Sequence, residues 1–333
     1  MRFDPTPSLL VGALMLSACA GSTLPEEEAE LAVLANPLAA ENGGDLNGGD
    51  LNGGDLNSGD LSNFITSVSY NPARKGSAPV ELVSLQGTTF YGYLKYDHDD
   101  YEIIRDRDFI GVEFQGNLGT GGTVRMRITG MNAAPAPNTD LKLYSLEYRD
   151  ATNLWKPACR DAKGTVVQAI PVPGVWNYQQ DVPGGGSKYS DPERFTFACL
   201  GGAIAKCTLW GYRPWASYNG TPLESYHQAC TRLVRADYCG TGKAFTVAGN
   251  RINFYDTLGI QQDTEAWNFE AAWDVNGARC FYALNRTHSE LPCFSSRQDL
   301  LCGLNLGSSS LGVLLRNETP GTLGIDPGKT AGN

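Results

Sequence analysis

The sequence has no cysteine between residues 20 and 158, no Cys-x-x-Cys pair, only three histidines in 333 residues, and no apolar run of membrane-span length. Each absence removes a class of protein. Without Cys-x-x-Cys, thioredoxin-like redox motifs and zinc-finger ligand pairs have no foothold. The apolar run over residues 8–16 falls far short of the roughly 20 residues that a spanning helix needs. Basic residues are scarce as well. Lys plus Arg number 26 against 36 Asp plus Glu, a formal net charge of −10, so the chain offers no electropositive field to DNA or RNA.

What the amino terminus does contain is a secretion signal. Met1 and Arg2 give a short basic start, residues 8–16 an apolar core, and Leu16-Ser17-Ala18-Cys19 follows directly. That tetrad resembles the box of bacterial lipoproteins, which implies removal of residues 1–18 and acylation of Cys19 on its thiol and new amino group. Two or three acyl chains hold a protein firmly, since each buried methylene contributes about 0.8 kcal/mol. The expected anchor is therefore Cys19, and the expected location is the cell envelope. Ala20, where Asp would favour inner-membrane retention, resembles an outer-membrane sorting choice, facing either periplasm or surface.

Residues 42–61 read NGGDLNGGDLNGGDLNSGDL, a five-residue unit repeated four times. A calcium-binding turn repeat has a period of nine, which this is not. A pentapeptide β-helix buries its core by stacking coils, and four pentads make about one coil. What fits is a solvated Gly/Asn/Asp linker. Residues 19–63 as a flexible coil span roughly 35–40 Å between their ends, enough to lift a globular body off a membrane.

Nine cysteines become eight once Cys19 is assigned to lipid, and all eight lie beyond residue 158. An even set in an exported chain reads as four disulfides. The front half is then expected to hold by sheet packing alone, and the rear half to be stapled. Alternating apolar residues over residues 109–114 and 123–131 read as half-buried antiparallel strands. With residues 80–94, 141–148, 165–170 and 194–199, they predict a sandwich-like β half over 64–199, either a β-sandwich or a curled sheet. Residues 201–212 read as a helix with Ile204 and Cys207 on one face. A second helix is predicted with Thr221 as N-cap, Pro222 in its first turn, Glu224 closing a capping box, and a stripe of Leu223, Tyr226, Cys230, Leu233 and Val234. Gly249-Asn250 and Asn276-Gly277 are expected to turn two hairpins. The expected fold class is α+β: a globular body over 64–302, its part from 155 to 302 disulfide-rich, followed by a mostly disordered tail over 303–333. Side-chain direction predicts the bridges Cys159–Cys199, Cys207–Cys230, Cys239–Cys280 and Cys293–Cys302.

Residues 195–215, 226–242 and 252–261, followed by NFEAAW and GARC, resemble the bacterial ADYC-domain family, named for the tetrad Ala236-Asp237-Tyr238-Cys239. The likeness covers roughly residues 155–286. It implies an exported protein, often a lipoprotein of myxobacteria and other Gram-negative bacteria, and it brings no established activity. Asp237 falls in the last turn of its helix, where the helix dipole disfavours a carboxylate, so it needs another partner. The structural reading gives it hydrogen bonds from the turn at residues 240–243 or from an Arg. The catalytic reading makes Asp237 a general base, with His227, three residues before Cys230, as its orienting group or as partner to a thiolate. The acidic stretch 96–108 departs from the order of an EF-hand and reads as a solvated loop. Residues 239–246 lack the first glycine of a phosphate loop. No cofactor or metal site is expected. The favoured function is a non-catalytic envelope or surface module that binds an envelope or extracellular partner, with the membrane engaged through Cys19. The alternative is an exported hydrolase using Asp237 and His227, or a Cys–His pair.

Overall fold

The computed structural model describes residues 40–41, 65–96, 100–119, 121–161, 164–246, 250–282, 286, 291–293 and 312–320. Cys19, the repeat at 42–61 and Cys302 lie outside the described residues. Ahead of the main body, β1 (Ala40–Glu41) is a two-residue strand. The front half then contains β2 (Ile65–Lys75), β3 (Ala78–Gln86), β4 (Thr89–Lys95), β5 (Tyr101–Arg105), β6 (Val112–Leu118), β7 (Thr123–Ala133), β8 (Lys142–Arg149), β9 (Trp155–Pro157) and β10 (Ala169–Pro173). A short ribbon of β11 (Val175–Trp176) and β12 (Lys188–Tyr189) leads to β13 (Arg194–Cys199).

These strands do not stack as a sandwich. The antiparallel order β2-β6-β7-β8-β10-β13 returns to β2, where Phe195 pairs with Val68, so six strands close into a barrel. The alternation read from sequence is the same for either architecture, because both bury one face of each strand. Closure comes instead from a register shift in β2 between Ser69 and Arg74. Before the shift β2 pairs with β13, and after it with β3. The barrel is filled by aromatic rings. Phe90 lies 5.2 Å from Phe109, 5.3 Å from Tyr144 and 5.2 Å from Phe195 between ring centroids. Strands β3, β4 and β5 continue the sheet beyond the barrel as a three-stranded flap that ends at β5. The acidic stretch expected to be a loop thus supplies an edge strand and a 3-10 turn, Asp106–Phe109, whose Phe109 is fully buried.

The rear half places two helices on a second sheet. α1 (Ala203–Leu209) is joined to α2 (Glu224–Arg235) through the small ribbon β14 (Ser217–Tyr218) and β15 (Thr221–Pro222). The predicted cap is displaced: Thr221 and Pro222 belong to that ribbon, and Leu223 precedes the first helical residue. β16 (Arg251–Asp256), β17 (Asn268–Asp274), β18 (Gly277–Phe281) and β19 (Leu315–Thr319) form an antiparallel sheet in the order β1-β16-β19-β17-β18. The turn at Asn276-Gly277 joins β17 to β18. Gly249 of the hairpin expected at Gly249-Asn250 lies outside the described residues; the strand that follows, β16, pairs with β1 and β19. β19 also corrects the tail: five of its residues sit between β16 and β17 with Leu315 fully buried.

Two cores meet across the barrel wall. Phe195, Phe197 and Cys199 of β13 point into the barrel, as their alternation predicts, while Ala198 on the other face packs with the helices. Leu143, Ile170 and Val172 likewise turn outward onto the helix core. β13 is buried on both faces because the helices cover the barrel there. Among the described residues, no helix is long and apolar enough to cross a membrane.

Three disulfides are described. Cys159–Cys199 and Cys207–Cys230 are the pairs expected, with Cα separations of 5.4 and 5.8 Å. The first lies in the barrel core, so the front half does carry a covalent staple. Cys239 bonds Cys293, which replaces both remaining expected pairs, Cys239–Cys280 and Cys293–Cys302. The reason is the sheet: Ala271, Trp273 and Phe281 face the helices, whereas Cys280 packs with Ala272 and Val313 on the far face. Cys239 packs against the helix-side core and cannot reach it. Cys280 is itself disulfide-bonded.

Deleting residues 312–333 removes the strand that joins β16 to β17. The truncated chain is expected to lose the cooperative urea transition of the rear half while keeping barrel signal in circular dichroism; an unaltered transition would overturn the assignment of β19.

Candidate functional site

The tetrad at 236–239 begins where α2 ends. Ala236 takes the left-handed conformation, φ 53° and ψ 40°. Its N–H donates to Leu233 O at 3.0 Å, and the N–H of Asp237 donates to Arg232 O at 2.9 Å, the paired bonds of a Schellman motif. Glycine is usual at this position, and an alanine there costs roughly 1 kcal/mol of backbone strain. Its methyl group is fully buried in the helix core, which offsets that cost.

The reversal sends Asp237 back under its own helix. Oδ1 accepts the N–H of Thr241 at 3.0 Å, Oδ2 accepts the N–H of Gly242 at 3.0 Å, and Arg232 donates Nη1 to Oδ2. Arg235 stands 3.9 Å away. Both kinds of partner considered from sequence, turn amides and an arginine, are present at once. Asp237 is 0% and Arg232 1% exposed, so this ion pair is dry.

Arg232 does more than neutralise Asp237. Nε donates to Val275 O at 3.2 Å, Nη2 donates to Ser187 Oγ at 2.8 Å, and Nη1 also reaches Gly185 O. One guanidinium thereby joins the helix, the tetrad, the β17–β18 turn and the glycine loop at residues 184–187. Gln228, one turn earlier, donates to Gly186 O at 3.0 Å and accepts from Lys188 N at 3.0 Å. The loop must come close for this, and a Cβ at Gly185 would run into the carbonyl oxygens of Thr241 and Gln179. Gly240 meets the Asn276 carbonyl in the same way, at φ 69°.

Tyr238 and Cys239 complete the tetrad. The Tyr238 ring lies 5.2 Å from Trp273 and 5.2 Å from Phe281, its carbonyl accepts Ala278 N at 3.0 Å, and its hydroxyl donates to Glu270. Burial, then the charge of Glu270, holds the phenol protonated well above its ordinary range. Glu270 is fully buried and also accepts from Asn317 Nδ2 at 3.0 Å, while Asn317 Oδ1 accepts Trp273 Nε1 at 2.7 Å. Arg286 lies 3.3 Å from the same carboxyl. Sequence reading missed Arg232, Glu270, Asn317 and the glycine loop. Arg232 carried one signal: it stands five residues before Asp237, where a Schellman turn brings the two together.

His227 is elsewhere. It sits in the first turn of α2, and the rise of an α-helix puts it roughly 12 Å along the axis from Arg235, the end of the helix at which Asp237 is held. Nε2 lies 3.1 Å from Ile204 O and 3.3 Å from Thr208 Oγ1. A carbonyl only accepts, so Nε2 carries the proton. The ring is fully buried, with Trp176 5.9 Å away. Burial, then the positive charge of Lys188, lowers its pKa to about 3. Its neighbour Cys230 is in a disulfide, and with all seven described cysteines oxidised no Cys–His pair exists among the described residues. No group of three or more His, Cys, Asp or Glu among those residues is placed to hold a metal ion.

Asp237→Ala leaves a buried guanidinium uncompensated and is expected to cost about 3–5 kcal/mol in urea unfolding. Asp237→Asn, which keeps one acceptor, costs less; a loss under about 1 kcal/mol for Asp237→Ala would show the pair to be dispensable. His227 gives a pH signature. Between about 3 and 6.5 the unfolded chain binds a proton that the folded chain refuses, so its contribution is whole above 6.5 and is lost as pH falls toward 3. The wild type should lose up to about 1.4 kcal/mol per pH unit more than His227→Gln over that window; identical slopes would refute the assignment.

No curated protein and no solved structure matches this chain. The family model described as the ADYC domain matches residues 106–287, from the 3-10 turn after the flap through five barrel strands, both helices and the β17–β18 hairpin. Since that match covers more than half of the chain and includes the tetrad whose four residues close the rear half, the chain belongs to the ADYC-domain family.

Proposed function

We propose that this protein is a lipid-anchored, exported envelope module that binds a partner without chemical conversion. The observation that carries the reading is the inward commitment of its reactive groups. Asp237 and His227 are 0% exposed, each is held by partners from its own chain, and every described cysteine is oxidised. General-base and nucleophilic catalysis need a group within hydrogen-bond reach of a substrate, and these are sealed in core. Seven oxidised cysteines also suit an oxidising compartment outside the cytoplasm. The sequence supplies the tether: Leu16-Ser17-Ala18-Cys19 for the lipid and residues 42–61 as a polar spacer. The partner is an envelope or extracellular component, engaged by the rigid stapled body.

Metabolic labelling with palmitate tests the anchor. The wild-type chain should incorporate label and sediment with membranes, whereas Cys19→Ser should incorporate none and move to the soluble fraction. Equal labelling of the two would refute lipid attachment at Cys19.

A further inference from the structure

Of nine large apolar side chains exposed in the described structure, five belong to the flap and its hairpin end: Leu82, Tyr93, Tyr96, Tyr101 and Ile103. Four of them share one face. Tyr93 stands directly opposite Ile103, and Lys95 opposite Tyr101, so alternation puts Tyr93, Tyr101 and Ile103 on the same side. In β3 a bulge lies between Glu81 and Ser84, with Val80 and Val83 buried on its two sides, which turns Leu82 outward beside Tyr93. Leu82 holds φ at 50° and is 72% exposed; Ile103 is 67% exposed. Leu82 and Ile103 lie two strands apart on either side of Tyr93, and each leaves most of its side chain unburied within one copy of the chain.

Among the described residues the edge itself is open, and it is in phase with that face. The N–H of Tyr96 donates to Asp100 O at 2.8 Å, which marks 96 and 100 as a bonded pair. Antiparallel alternation makes Leu94–Glu102 and Gly92–Ile104 the next bonded pairs, and it directs the N–H and C=O groups of Tyr101, Ile103 and Arg105 away from β4. The Arg105 N–H is taken by Asp108 Oδ2 at 3.2 Å, which agrees with that direction. Tyr101 and Ile103 still present both groups where the sheet ends. Proteins blunt such edges with Lys, Pro or a bulge in the strand, and β5 has none of these.

The segment Tyr101–Arg105 complements itself. In a two-fold antiparallel pairing centred on Ile103, Ile103 meets Ile103 of the other copy, and each Tyr101 ring meets an Arg105 guanidinium. Glu102 falls opposite Ile104, so no like charges are opposed. This register places the outward-directed groups of Ile103 opposite one another and the Tyr101 N–H opposite the Arg105 C=O, while the Arg105 N–H stays with Asp108, and it doubles the apolar row to Leu82, Tyr93 and Ile103 from each copy. We propose that β5 is a self-association edge, through which two copies of this chain pair in this register. The net charge of −10 on each copy opposes contact, so added salt should tighten the dimer.

Sedimentation equilibrium on the full chain carrying Cys19→Ser, which excludes lipid-driven association, is expected to show a monomer–dimer equilibrium that tightens with salt. Ile103→Lys should raise its Kd at least about tenfold while leaving the melting curve in place. Ile103→Pro should act likewise, because it removes an N–H that points away from β4. Val166→Lys, at an exposed apolar position off the flap, should change nothing. In the same background Ile103→Cys should cross-link to itself under mild oxidation, and Tyr101→Cys should cross-link only when mixed with Arg105→Cys. A monomer at all concentrations up to about 100 µM, a dimer indifferent to Ile103→Lys, or Tyr101→Cys linking to itself would overturn the proposal.

Discussion

The rear half of this protein hangs on the buried pair of Arg232 and Asp237. Two charges taken out of water are costly, and the pair is tolerable only when the remaining donors and lone pairs are used. Here they are: Asp237 accepts from Thr241 and Gly242 as well, and Arg232 donates to Val275, Gly185 and Ser187. Three segments distant in sequence, the helix end with its tetrad, the β17–β18 turn and the glycine loop, are brought together by a single planar group. A hydrophobic pair of similar size would fill the space but would not dictate which turns approach it.

The four letters of the tetrad are then four aspects of one turn. Ala236 ends the helix, Asp237 returns to it, Tyr238 fills the space between helix and sheet, and Cys239 ties the turn to Cys293. Side chains beyond the tetrad extend the same polar network into the sheet through Glu270 and Asn317. Conformational specificity is a sufficient account of this sequence pattern, and it needs no substrate. Each polar member has a partner of complementary type, the condition under which buried polar groups define a unique core.

What was legible in the sequence was whatever depends on local phase. The alternation in residues 194–199 gave the inward face of β13, and the apolar stripes placed Cys207 and Cys230 toward each other. What was not legible depends on distant partners. Barrel closure rests on Val68 meeting Phe195, more than a hundred residues along the chain, and no local pattern distinguishes that from a sandwich. The direction of Cys239 is set by a left-handed residue three positions earlier, so helix phase misplaces it. Residues 315–319 fall in the tail expected to be mostly disordered for want of a stable period, yet Asn317 is fully buried because Trp273 and Glu270 satisfy its amide. At the candidate site, Asp237 and its need for turn amides or an arginine were legible, while which arginine answers it depends on the left-handed turn at Ala236.

The position of β19 orders events in time. Every strand of the barrel has been made once residue 199 exists, so that half can close while the rest of the chain is still being synthesised. The second sheet has no such freedom. β16 and β17 are held apart by a strand that arrives at residues 315–319, and until then two backbone edges stand open with no native neighbour between them. Glu270 and Trp273 await Asn317 for the same interval. A chain built in this order completes its buried polar network last, so the interval before residue 319 is when the rear half is most exposed to misassembly.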